Sequence, residues 1–93
     1  SDHFCIIPAG TPIAITKLHY VFEYPKSMSK VKRLHTKYKT TKPDLHDNLN
    51  KALFDALEGV VWEQDQNICK MDNVEKIYGE KSRIIMNIEC LNY

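Results

Sequence analysis

Asp44, Asp47 and Lys51 stand together in the run Lys42-Pro43-Asp44-Leu45-His46-Asp47-Asn48-Leu49-Asn50-Lys51, and Asp65 follows one predicted helix later. Carboxylates are hard oxygen ligands, which select Mg²⁺ or Mn²⁺ over softer ions. Two of them about 4 Å apart repel by about 4 kcal/mol at an effective dielectric of about 20, so a converging cluster needs a proton or a cation. A divalent cation there would orient and activate water and offset charge on a pentacovalent phosphate. Lys51 would stabilise the phosphate or the leaving oxygen. The chemistry open to such a set is phosphodiester hydrolysis. A plainer account competes with it: Asp47 caps a helix, Lys51 pairs with it at i, i+4, and Asp44 is a turn residue. Spacing alone does not bring Asp65 close to the other two.

A helix must hold these groups. Leu49, Ala52, Leu53, Ala56 and Leu57 recur at the spacing of one buried stripe, so the pattern predicts a helix from about Asn48 to Glu58, stopped by Gly59. Pro43 turns Lys42 away from helix, and Asp44 or Asp47 can cap the helix that begins there. Stepping about 100° per residue puts Asp47, Lys51, Asp55 and Glu58 on the side away from the stripe, with Phe54. There Phe54 could meet another subunit or fill a gap against the segment upstream.

That upstream segment is strongly basic. From Lys26 to Lys42 lie Lys26, Lys30, Lys32, Arg33, Lys37, Lys39 and Lys42 with no acid among them, although the net charge is only +1. Phosphate affinity follows local charge, so a polyanion is the natural partner, and Tyr38 and His35 could stack or hydrogen-bond beside the cations. Lys30, Lys32, Arg33, Lys37, Lys39 and Lys42 are the candidate nucleic-acid-binding residues here. A lysine-rich loop is also the ordinary composition of a solvated surface. Its periodicity predicts a loop, with a short strand possible at 34–39.

The remaining elements read as a sheet. Residues 4–7 are a short apolar run before a turn-rich stretch to Pro12. Ile13 to Tyr24 is a long strand with Ala14, Thr16, Leu18, Tyr20 and Phe22 on one face and Ile13, Ile15, Lys17, His19 and Val21 on the other. Val60–Trp62 reads as a short strand and 63–67 as a polar turn. An extended region from Ile68 to Ile77 is broken at Asp72-Asn73. Arg83 to Cys90 is a final strand with Ile84, Met86, Ile88 and Cys90 on one face. The whole predicts one small α+β domain, a mixed sheet with one main helix packed on it.

Composition limits the alternatives. A chain of 93 residues leaves much apolar surface uncovered, which favours a homodimer. No apolar run approaches the roughly 20 residues of a membrane span. The three cysteines lack paired spacing and read as reduced intracellular thiols, two of them on strands, and the scattered histidines argue against structural zinc. The start, Ser1-Asp2-His3-Phe4, has neither Met nor a signal pattern, and reads as processed, tagged or truncated.

Residues 42 to 62, Lys-Pro-Asp-Leu-His-Asp-Asn-Leu-Asn-Lys-Ala-Leu-Phe-Asp-Ala-Leu-Glu-Gly-Val-Val-Trp, then Gln64-Asp65-Gln66-Asn67-Ile68 and Lys76, resemble the RusA family of Holliday junction resolvases. These are endodeoxyribonucleases of bacteria and their phages or prophages. The family pattern is Pro-Asp-x-Asp-Asn-x-x-Lys, an Asp-Ala-Leu-x-Gly helix end, Asp-Asp-x-Gln-Ile and a later lysine. The resemblance implies a Mg²⁺-dependent, cytoplasmic homodimer that binds four-way DNA junctions and nicks two strands symmetrically. It implies catalytic roles for Asp47, Lys51, Asp65 and Asp44, metal ligation by Asp44, Asp47 and Asp65, and DNA contact by Lys76. Three departures stand out. Leu45 and His46 separate Asp44 from Asp47 where the family usually has one residue, Gln64 replaces the first acid of the Asp-Asp pair, and family members commonly begin with more chain. Two other readings stay open: a non-catalytic branched-DNA-binding module whose extra residue has spoiled the metal site, and a metal nuclease without branch selectivity.

Overall fold

A central strand, β1 (Ile13–Glu23), organises the sheet, as its β-branched and aromatic composition predicts. The computed structural model describes residues 5–91, so His3, Phe4 and the unusual start lie outside the described residues. Strand β4 (Arg83–Cys90) runs antiparallel to β1, from Ile13 opposite Cys90 to Val21 opposite Arg83. Strands β2 (Ile68–Met71) and β3 (Val74–Gly79) both run parallel to β1. β2 pairs with Ile13–Ile15 and β3 with Leu18–Glu23, without overlap, so both lie along the edge opposite β4. The extended region predicted from Ile68 is therefore one interrupted strand on one edge. At the break, Asp72 donates to the Ile15 carbonyl and Leu18 to the Asn73 carbonyl, and Asn73 takes φ 52°, a left-handed conformation that asparagine tolerates.

A bulge corrects the predicted faces of β1. The register with β4 slips between Ile15 and Lys17, at Thr16. One extra residue inverts the alternation beyond it. Ile13 and Ile15 thus join Leu18 and Tyr20 in one core cluster with Trp62, instead of facing the opposite side.

The helix covers that cluster with Leu45, Leu49, Leu53, Phe54 and Leu57. It starts earlier than its periodicity predicts, as a π-turn at Leu45–Asn50 that continues into α2 (Lys51–Leu57). Ala52 and Ala56 are exposed, and Phe54 takes the inward place. Gly59, at φ 82°, reverses the chain so that the amides of Val60 and Val61 both donate to the Leu57 carbonyl. Residues 60–62 consequently form a turn and not the predicted strand; they meet the N-terminal arm through Ile7 N–H to Val61 O (2.9 Å) and Glu63 N–H to Ile7 O (2.9 Å). Asn67, buried, donates to the carbonyls of Pro8 and Thr11, both at 2.8 Å, and closes this corner.

The basic segment also differs from its prediction. Residues Lys30–Leu34 form a short helix, α1, capped by the Ser29 hydroxyl, which accepts from Lys32 N–H at 3.2 Å. No strand spans 34–39; Tyr38 alone bridges to Ile77. Cys5, Cys69 and Cys90 are free and exposed. The architecture is α+β, a mixed four-stranded sheet under one main helix. The radius of gyration is 15.7 Å. A compact chain of this length would have about 12 Å. Among the described residues no helix is long and apolar enough to cross a membrane.

Candidate active-site cleft

The π-turn resolves how the chain absorbs the residue between Asp44 and Asp47. Asp44 begins the helix in an extended conformation, and its carbonyl accepts from both Asn48 N–H (3.2 Å) and Leu49 N–H (3.0 Å). The second bond closes an i to i+5 ring, which takes up one residue more than an α-turn. The Asn48 carboxamide oxygen in turn accepts from Asp44 N–H at 3.0 Å. With the extra residue absorbed here, Leu45 and Leu49 both reach the core.

Capping does not engage the acids, contrary to the plainer account. Asp44 occupies the N-cap position, but its side chain makes no capping hydrogen bond. Asp47 lies within the first turn rather than at the cap. No ion pair joins Asp47 to Lys51; among the described residues the ion pairs are His19–Glu75, Lys37–Glu75 and Lys70–Asp72. Asp47 and Lys51 instead line one open cleft of about 440 Å³ with His46, Asn50, Phe54 and Met71. An anionic oxygen donor and an unneutralised ammonium thus face the same space.

Three contacts hold the cleft in place. The Tyr20 hydroxyl donates to Asn50 Oδ1 at 2.7 Å, tying the π-turn to the centre of β1. Burial pushes the Tyr20 pKa up to about 12, so the phenol remains a donor at any working pH. The Phe54 ring meets Trp62 edge to face at 5.9 Å. Lys76 donates to the carbonyls of Thr41 (2.6 Å) and Pro43 (2.7 Å), which fixes the chain just before Asp44. Tyr20, Asn50 and Met71 had no signal in the sequence, because they come from three separate elements. His46 had one, its place beside Asp47.

Asp65 is held by partners of its own corner of the fold. Its Oδ1 accepts from the Trp62 indole N–H at 2.8 Å, and its backbone N–H donates to Glu58 Oε2 at 2.8 Å. Like Asp44, it does not line the cleft of Asp47 and Lys51. Among the described residues no group of three or more His, Cys, Asp or Glu side chains is arranged to hold a metal ion. The three aspartates suit Mg²⁺ in the kind of donor they offer, but they do not form a ready-made site.

The candidate DNA-binding residues divide into two sets. Arg33 donates to the carbonyls of Met28 (3.1 Å) and Pro25 (3.2 Å) and lies over the Tyr24 ring. Lys39 donates to the Thr41 hydroxyl and lies over Phe22 and Tyr78. Together with Lys76, these cations build the segment onto the sheet. Lys37 pairs with Glu75 at 3.8 Å and lies over Tyr38. Lys30, Lys32 and Lys42 are exposed and have no side-chain partner among the described residues, so they are the cations left for a polyanion.

Searches of curated proteins and of solved structures found no match. A comparison with protein families matches residues 7–89 to the family described as endodeoxyribonuclease RusA. The match takes in β1, the basic segment, the cleft, β2, β3 and all of β4 but its last residue. The chain therefore belongs to the RusA family of endodeoxyribonucleases, hydrolases that resolve Holliday junctions.

Proposed function

We propose that this chain is a Mg²⁺-dependent nuclease, with Mn²⁺ as an alternative ion, that cleaves four-way DNA junctions as a homodimer in the bacterial cytoplasm, whether encoded by a cell or a phage. The observation that carries this reading is that Asp47 and Lys51 line one cleft, neither engaged by a side-chain partner. Lys51 places a cation where a phosphate oxygen would gain negative charge. Asp44, Asp47 and Asp65 are the proposed metal ligands. The dimer is supported by the extended dimensions of the chain and by the outer edge of β4, which has no partner strand among the described residues.

The test is cleavage of a synthetic four-way junction with Mg²⁺, with Mn²⁺ and with EDTA, in competition with linear duplex. Paired nicks that require the cation, with little competition from duplex, are expected. Equal competition would replace this reading with a nuclease lacking branch selectivity. Tight junction binding without cleavage under any cation would identify a DNA-binding module, the reading favoured by the separation of Asp65 from the cleft.

Salt dependence separates the two sets of cations. Each phosphate contact contributes about 0.9 to the slope of log K against log salt. Replacing Lys30 and Lys32 together by alanine is expected to lower the slope for duplex binding by about 2 without changing thermal stability. An unchanged slope would remove α1 from the DNA interface.

A further inference from the structure

The basic segment holds apolar side chains that the hydrophobic core does not use. Val31 is 68% exposed, Leu34 82% and Tyr38 55%, while the other exposed large apolar residues, Val60, Met71 and Ile84, are scattered over other elements. Val31 and Leu34 are three residues apart in α1 and therefore share a face.

This face is held out on a firm mount. A helix of 5 residues is marginal alone, but Arg33 anchors α1 through two carbonyls, and the Tyr24 hydroxyl donates to the Arg33 carbonyl at 3.2 Å. Tyr24 is itself stacked on Tyr78 of β3, with centroids 5.2 Å apart. The sheet thus supports a short helix that presents Val31 and Leu34 to solvent together with the free cations Lys30 and Lys32.

Charge selects the occupant of this face. No acid lies anywhere from Pro25 to Pro43, so a symmetric contact with a second copy would oppose two cationic helices. A nucleic acid meets the cations with phosphates, but a continuous duplex hides the faces of its bases within the stack. Base faces open only where stacking is interrupted, as at a branch point, and apolar wedges enter duplexes at such steps. We infer that α1 is a branch-point wedge: Lys30 and Lys32 hold flanking phosphates while Leu34 and Val31 enter against unstacked base pairs. The inference rests on the branched-DNA reading above and supplies its structural selectivity.

Fluorescence of 2-aminopurine, placed in the base pairs flanking the branch point of a synthetic junction in EDTA, tests this on the full chain. Binding of the wild type is expected to raise the fluorescence by unstacking. The double variant Val31→Ser, Leu34→Ser is expected to lose roughly half of that rise or more while keeping duplex affinity within about twofold, since the duplex term is electrostatic. Leu34→Phe is expected to retain the rise. Both side chains are exposed, so the serine variant keeps its fold, which circular dichroism checks. An undiminished rise in the double variant overturns the wedge. So does a loss of dimer in sedimentation with the rise intact, which would make the patch a contact between copies. Failure of the wild type to prefer junction over duplex would instead overturn the branched-DNA reading itself.

Discussion

Asp47→Asn is expected to lower the rate of junction cleavage by about a thousandfold, equivalent to about 4 kcal/mol of barrier, while leaving junction binding intact or tighter. The amide has the shape of the carboxylate and removes only its charge. Asp47 is exposed, caps nothing and pairs with nothing, so the fold has no stake in that charge. Binding tightens if it changes at all, because an anion leaves a surface that faces phosphates. Single-turnover cleavage beside a gel-shift titration separates the two quantities. Lys51→Ala makes the complementary comparison, with cleavage down about a hundredfold and binding slightly weakened. Sustained cleavage by Asp47→Asn would dismiss the assigned site, and an unchanged rate in Lys51→Ala would remove the lysine from the reaction.

Trp62→Ala is expected to destabilise the fold by about 3–5 kcal/mol, the cost of emptying a large aromatic site in a core. Trp62 is fully buried, belongs to the central cluster and meets Phe54. A domain of this size has only about 5–14 kcal/mol of stability, so much of it disappears. Urea denaturation followed by circular dichroism measures the loss, since the chain has only 1 tryptophan and the variant has none. Trp62→Phe separates packing from hydrogen bonding: it keeps most of the ring and removes the donor to Asp65, at about 1–2 kcal/mol. A loss below about 1 kcal/mol for the alanine variant would mean that Trp62 is peripheral to the core.

The two variants probe different kinds of information in the chain. Asp47 and Lys51 were legible as a pair because they lie four residues apart, and a helix places such residues together whatever surrounds it. Whether they cap the helix and pair with each other was not legible. That depended on the Asp44 backbone, whose carbonyl takes the Leu49 amide, and on an ion pair that does not form. Phe54 shows the same division: its helical position was right, but it turned inward because Trp62 lay there to receive it.

Local order in this protein was determined by the sequence itself. The long strand at Ile13, the helix before Gly59, the break at Asp72-Asn73 and the acid-free basic run follow from periodicity, turn chemistry and charge, which act between near neighbours. Tertiary structure alone decided the rest. The Thr16 bulge turns Ile13 and Ile15 into the core, Asp65 is held by the Trp62 indole, and Arg33, Lys39 and Lys76 are drawn into the scaffold while Lys30 and Lys32 stay free. Those outcomes are choices among hydrogen-bond and packing partners far apart in the chain. Composition supplies the candidates for such contacts, and only the folded geometry selects among them.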